Sequence, residues 1–482
     1  MVKGWAAGFF AIVMGLASVT AQAATADEQA VEKAQNYRGA TLTVIWNKGL
    51  MAKEIYLFTG PLWEALTGIK INVVELAIPD TYPAVEKEHI KQSGAYDIIG
   101  ITPNYLPDYI TLGALEPLDP YLDANGYRES LQDIAPSFRD NWMTYDGTIY
   151  TIPDDGDVLM LFYRKDLFED EDNKAAFRLQ HGYDLAPPTT WQQFDQISAF
   201  LTARHAPATY GSAMMHQDLS HYFFAEQFRV NGGRFFDEKT MAATINALAG
   251  VQTLEQMVHR HQWMPPGVGN WSFMEVLSGF ISGRVAMTEF WPPLGRWAEG
   301  YGKESDLLAW VPPSNVAGKV GYAPSPGGHD SMAAGFGLSI SSASRNKEAA
   351  YLFIQWMTSP EISLQRVQVP YSLRDPYRIS HYESASYKAL WPNADEYLAT
   401  LKQITDRGLL DLSLLQVNLY ERSLMQGLKA AFTGKLPPEQ ALNHVARQWD
   451  QITQTIGVEN QRKVYLEWMS KPFAYPRTPK QN

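Results

Sequence analysis

Between Tyr150 and Phe168 the chain reads Tyr-Thr-Ile-Pro-Asp-Asp-Gly-Asp-Val-Leu-Met-Leu-Phe-Tyr-Arg-Lys-Asp-Leu-Phe. This stretch restricts the fold more than any other. A β-prone segment, Thr148 to Ile152, breaks at Pro153, and Asp154, Asp155 and Asp157 follow around Gly156. The apolar run Val158 to Tyr163 then has the length and boundaries of a buried strand. Proline, glycine and acids do not continue a central strand. The chain therefore changes course here, leaving one sheet and entering another. Groups at such a junction face a cleft, and clefts between domains are where small ligands bind.

The segments on either side support this division. Thr41 to Trp46 reads as a strand, followed by the loop Asn47-Lys48-Gly49. A helix pattern follows, with Ile55, Phe58, Leu62 and Leu66 on one face and Gly68 as its stop. Lys70 to Leu76 reads as a second strand, residues 81–93 as a helix, and Tyr96 to Ile101 as a third strand. That alternation implies a parallel sheet with helices on both faces, and ligands then sit beyond the carboxyl ends of its strands. Trp46 to Lys48 and Thr102 to Asn104 fall on that side.

After the crossing, Thr190 and Gln193 form a capping box ahead of the stripe Phe194, Ile197 and Leu201. Trp271 to Gly283 reads as a helix. Arg284 to Glu289 reads as a short strand running into Phe290-Trp291-Pro292-Pro293. The Pro- and Gly-rich stretch Val311 to Gly328 is expected to be a second crossing, Met332 to Ile340 a further strand, and Ser344 to Thr358 a helix stopped by Pro360. Residues 376–482 read mainly as helices. The expected division is a signal peptide at 1–23, one lobe from 24–155 with about 314–375, and a second from 156–313 with parts of 376–482.

A chain of 482 residues is long enough for two or three domains. Its net charge of −12 opposes nucleic acid, whose binders carry basic patches. Residues 1–23 carry Lys3, an uncharged apolar run and the small-residue pattern Ala21-Gln22-Ala23, as in a cleaved targeting segment with Ala24 as the mature start. No later stretch is long and apolar enough to span a bilayer. There are no cysteines, hence no disulfide framework, no thiolate metal site and no lipid-bearing cysteine at the cleavage site. Those features point to the periplasm.

His-Glu-x-x-His, Gly-x-Ser-x-Gly and P-loop motifs are absent, as is a Gly-x-Gly-x-x-Gly after a strand. Glu275 and Glu289 form an imaginable glycosidase pair, but nothing in the sequence sets their separation. His216 and His221 lack the carboxylate spacing of a zinc helix and read as packing histidines. No cofactor, no metal and no enzymatic activity are expected.

Seven segments in a fixed order carry a resemblance. They are Asp97-Ile-Ile followed by Ala114-Leu-Glu-Pro-Leu-Asp119, Asp146-Gly-Thr-Ile-Tyr-Thr-Ile-Pro153, Leu161-Phe-Tyr-Arg-Lys-Asp-Leu167, Pro187-Pro-Thr-Thr-Trp191, Ser282-Gly-Arg-Val-Ala-Met287, Gly335-Phe-Gly-Leu-Ser-Ile340 and Ser344-Arg-Asn-Lys-Glu-Ala-Ala350. With them the chain, from about Leu42 to Leu442, resembles the extracellular solute-binding proteins of bacterial ABC importers, in the maltose-binding-protein-like sugar group. The resemblance implies an α/β, two-lobed periplasmic-binding-protein fold, each lobe a mainly parallel sheet flanked by helices, with the ligand cleft at the hinge. It implies hinge closure on a small carbohydrate, then transient delivery to the membrane subunits of an ABC permease by a monomer. A glycan-acting hydrolase, or a chemosensory protein without transport, is the alternative.

Carried over by position, the resemblance places ligand contacts at Trp46, Asn47 and Lys48, at Thr102 and Asn104, and at the crossover carboxylate Asp157. It adds Trp291 beside Glu289, Phe336 in the Gly-x-Gly strand, and a late-helix aromatic taken as Tyr420. Phe336 and Glu421 stand where maltose binders carry Trp, a departure from what a long oligosaccharide requires. The residue chemistry agrees with a sugar: aromatic faces match the C–H faces of a pyranose, and carboxylates or amides pair with vicinal hydroxyls. The 14 Trp and 25 Tyr supply such faces. Trp46, at a strand end, also suits a core, and for Trp291 the core and site readings stand level. Asp154 and Asp155 read as loop acids, and Arg374, between Pro370 and Pro376, as the structural partner of an inter-lobe carboxylate.

Overall fold

A computed structural model describes residues 24–327 and 331–476. The targeting segment expected at 1–23 lies outside the described residues. No helix among the described residues is long and apolar enough to cross a membrane.

Two sheets organise the chain. The first has five strands in the order Lys70–Leu76, Thr41–Asn47, Ile98–Ile101, Gly337–Ile340, Ile152–Pro153. The first three run parallel, with Val44 opposite both Val73 and Ile98, as their β-α-β-α-β order requires. Gly337–Ile340 runs against them, Gly337 facing Ile101, and Ile152–Pro153 runs against it in turn, Pro153 facing Gly337. The chain thus enters Gly337 and leaves Pro153 at the edge where the parallel strands end. Asn47, Thr102 and Phe336 converge there.

The second sheet has Met160–Arg164 between Met287–Phe290 and Val320–Ala323. Both neighbours are antiparallel to it, whereas a mainly parallel sheet was expected. The reason is connectivity: the central strand enters from the first lobe, and Val320–Ala323 leaves toward it, so the two must run in opposite senses. Among the described residues, parallel pairing onto the edge of this sheet is limited to the bridges of Tyr210 with Val285 and Ala213 with Thr288. Because Val320–Ala323 belongs to this sheet, the return crossing falls after Ala323 rather than near residue 314. The expected single strand Met332 to Ile340 is two, Met332–Ala333 and Gly337–Ile340. They are separated at Gly335, whose φ of 129° is a conformation suited to glycine.

The hinge is a bundle of three crossings. Ala334 N donates to Asp157 O at 2.9 Å, and Leu159 N to Met332 O at 2.9 Å. Gly156 N donates to Asp375 O at 3.2 Å, while Asp375 N donates to the Asp155 carboxylate at 2.7 Å. A Cβ on Gly156 would lie 2.1 Å from Pro376 O, so only glycine lets these two crossings touch.

One helical face differs from expectation. Leu50–Glu54 and Gly60–Thr67 are joined by a π turn over Ile55–Thr59. The wider turn shifts the register of the helix beyond it. The buried stripe is Ile55, Thr59, Trp63 and Thr67, and Leu66 is exposed. The capping box at Thr190 and Gln193 forms, and Trp191–His205 buries Phe194, Ile197 and Leu201.

Candidate functional site: a cleft across the hinge

The strand registers bring distant residues to one edge. Met160 faces Phe290, so Asp157, just before the first strand, and Trp291, just after the second, emerge together. Opposite them stand Asn47, Thr102 and Phe336 of the first lobe. With Tyr222, from the helix Ser220–Val230, these side chains line a cavity of about 170 Å³ between the lobes. Tyr222 and Trp291 meet edge to face at 5.4 Å and 88°. Phe336 forms the aromatic face on the other side, backed by Trp46 at 5.9 Å. The cleft narrows beyond Thr102 and Tyr222 toward Asn104 and Asp411.

The electrostatics of this region divide sharply. Beneath the first-lobe wall, Arg366 ion-pairs with Glu54 and Asp154, and Arg374 pairs with the same two acids at 2.9 and 2.7 Å. All four side chains are buried, and the Arg374 guanidinium also lies 5.2 Å over the Trp46 ring. Two cations thus compensate two anions. Asp157 has no such partner. Burial and the neighbouring Asp375 charge hold its carboxyl well above the usual carboxylate range. Asp375 is itself pushed up to about 8 by burial, against the pull of Arg296.

Several expected residues occupy other places. Trp46 is fully buried and supports Phe336 rather than lining the cavity. Lys48 is exposed and is not part of its wall. Asn104 is buried and donates its amide to Glu421 at 2.7 Å, where Tyr105 also donates at 3.0 Å. Glu289 is buried beside Glu226 behind the strand, and burial raises both carboxyls.

Tyr420 is the clearest correction. Its hydroxyl lies 2.9 Å from Thr453 Oγ1, and its ring packs against Phe236 and Trp449 in the helical core. Val417, Tyr420, Leu424, Leu428 and Ala431 form one buried stripe of the helix Val417–Phe432, a 3–4 spacing that already assigns Tyr420 to the core. One residue further round the helix, Glu421 instead meets Asn104 and Tyr105 of the first lobe. Arg374 has the structural role expected of it, whereas Asp154 is a buried ion-pair partner rather than a loop acid. Tyr222 had no sequence signal, since nothing around it distinguishes a cleft tyrosine from a packed one.

Two α/β lobes, three hinge crossings and an aromatic and acidic cavity between them define a two-lobed solute-binding protein. The chain matches the profile of the bacterial extracellular solute-binding protein family over residues 39–363, and it belongs to that family. It is 25% identical over 350 residues to a probable amino-acid ABC transporter periplasmic-binding protein of Sinorhizobium fredii, covering 70% of this chain and 73% of that one. It is 25% identical over 373 residues to a mannitol-binding protein of Pseudomonas aeruginosa, covering 73% and 79%. Among solved structures, an ABC transporter solute-binding protein of Agrobacterium radiobacter K84 in complex with ribitol is similar, with a TM-score of 0.69 and 20% identity over 86% of this chain and 99% of that one. The fold is the two-lobed periplasmic-binding-protein fold.

Proposed function

We propose that this protein captures a small carbohydrate or polyol in the periplasm by hinge closure and passes it, as a monomer and without chemical change, to an ABC permease. The observation that carries the reading is the pairing of aromatic faces from both lobes, Phe336 on one and Trp291 with Tyr222 on the other, around the Asp157 carboxylate. Aromatic faces accept the C–H side of a polyhydroxylated chain, and a carboxylate accepts from neighbouring hydroxyls. The cavity is smaller than the roughly 300–1,000 Å³ of drug-sized sites, which favours one sugar unit over an oligosaccharide. Asn47, Thr102, Asp157, Trp291 and Phe336 are the proposed contacts. Binding by both lobes gives the ligand differential affinity for the closed state, the thermodynamic condition for ligand-driven closure.

Thermal-shift screening of the mature protein against hexitols, pentitols, monosaccharides, disaccharides and amino acids is the test. A tight ligand at a hundredfold excess over its dissociation constant stabilises the fold by about 2.7 kcal/mol. A shift confined to polyols or small sugars is expected, and a shift confined to amino acids overturns the carbohydrate reading. Electrospray mass spectrometry of osmotically released protein checks export: Ala24 should be first, and retention of Met1 contradicts the targeting expectation.

A further inference from the structure

Around Asp411, which lines the narrow end of the cleft, His221, Asp411 and Glu421 offer one ligand atom each, all within 4.8 Å of one another. His221 is 6% exposed, yet neither ring nitrogen has a hydrogen-bond partner, and one Asp411 carboxylate oxygen is likewise unpartnered. Buried polar groups are almost always satisfied, and an orphan in a native interior calls for a water or an ion. Two facts favour an ion. Neither His221 nitrogen is engaged by a protein donor or acceptor, so the ring is open to coordinate. Among the described residues no guanidinium forms an ion pair with Asp411 or Glu421, and Arg229 donates to the backbone carbonyls of Leu410 and Ala474.

The structure assigns, we infer, a divalent transition-metal site to His221, Asp411 and Glu421. One imidazole and two carboxylates form a charge-balanced nitrogen–oxygen set suited to Zn²⁺ or Mn²⁺. Ligand atoms about 2.0–2.2 Å from a tetrahedral cation stand about 3.4 Å apart, so the cluster needs to contract only modestly. Glu421 is already oriented by Asn104 and Tyr105, the supporting shell that metal ligands require. Those two donors come from the first lobe and the three ligands from the second lobe and the crossing beside it, so a bound cation would tie the lobes at the cleft. Asp411 lines the cleft with Thr102 and Tyr222, which directs the remaining coordination positions toward hydroxyls of a bound polyol. That last role rests on the carbohydrate reading, whereas the metal site does not.

Calorimetric titration of the chelator-treated mature protein with ZnCl₂ and MnCl₂, with MgCl₂ as a hard-cation control, tests the assignment. One equivalent of Zn²⁺ or Mn²⁺ should bind. His221→Gln and Glu421→Gln should each weaken it at least roughly a hundredfold, and Asn104→Ala by about ten- to a hundredfold through loss of orientation. His444→Ala, at an exposed position, should leave it unchanged. Co²⁺ titrated into unmutated protein gives a readout independent of variant folding: visible absorption of mixed nitrogen–oxygen coordination is expected. Absence of one-equivalent binding of Zn²⁺ or Mn²⁺, or binding that survives His221→Gln in a folded variant, overturns the proposal. Repeating the polyol titration with and without metal separates the two readings. Metal binding without any polyol response leaves the site standing and removes the carbohydrate reading, and the converse removes the metal site alone.

Discussion

Asp154 and Asp157 lie three residues apart on the same crossing, and their surroundings are opposite. Asp154 is fully buried between Arg366 and Arg374, with Glu54 completing a balanced quartet. Asp157 faces the cavity beside Asp155 and Asp375 and forms no ion pair among the described residues. A buried charge tolerates its desolvation only when paired and hydrogen-bonded, so Asp154 is committed to holding the hinge together. Asp157 sits among like charges, a burden relieved by a proton or by a hydrogen-bonding ligand. On one short segment, compensation separates structure from function.

The largest effect should come from breaking the compensated side. Arg366→Ala leaves Glu54 and Asp154 sharing one guanidinium in a dry interior, and a loss of about 3–5 kcal/mol in unfolding free energy is expected, measured by urea denaturation. A loss under about 1 kcal/mol would show the quartet to be solvated. On the uncompensated side the sign differs. Asp157→Asn removes a like charge, so unliganded stability should hold or rise, while ligand affinity falls by about 1.5–3 kcal/mol through loss of charge-assisted hydrogen bonds. Trp291→Ala should cost at least about 2 kcal/mol of affinity. Calorimetry with paired unliganded melts decides both, and unchanged affinity with a large stability loss would place these residues in the core.

The pH response sharpens the comparison further. Asp375 is pushed up to about 8, chiefly by burial, so the folded state keeps a proton that the unfolded chain releases at lower pH. Its contribution to stability is therefore present below the unfolded carboxylate range, declines as pH rises through about 8, and levels off above that. Asp155 and Asp157, also raised, act in the same direction. Asp375→Asn should flatten this decline, read as the difference in melting temperature from the unmutated protein between pH 4 and 9. A difference independent of pH would exclude Asp375 as a titrating group. The smallest effect belongs to Tyr420→Phe, which removes the hydroxyl contact with Thr453. It should cost about 0.5–1.5 kcal/mol of stability and nothing in ligand affinity, as befits a residue of the helical core.

Much of the architecture was legible because local periodicity and breakers are local facts. The order of strands and helices before Thr102, the break at Pro153 and the capping box at Thr190 all follow from residues within a few positions of one another. That Asn47, Thr102, Asp157, Trp291 and Phe336 line one cavity was legible for a related reason: strand ends can be read from sequence, and the cleft collects strand ends. The failures involve rotation and distance. A single π turn moved a helix face from Leu66 to Thr67, and one helical step exchanged Tyr420 for Glu421.

The sequence alone determined the two-lobed plan, the crossing at Pro153 to Asp157 and the candidate walls of the cleft, since hydrophobic spacing and turn chemistry act over short range. Only the tertiary structure decided which charges are spent and which are free. Arg366 finds Glu54 from 312 residues away, and Asn104 finds Glu421 from 317. Spacing along a chain carries no information about such meetings, because they depend on how segments hundreds of residues apart pack against one another in three dimensions.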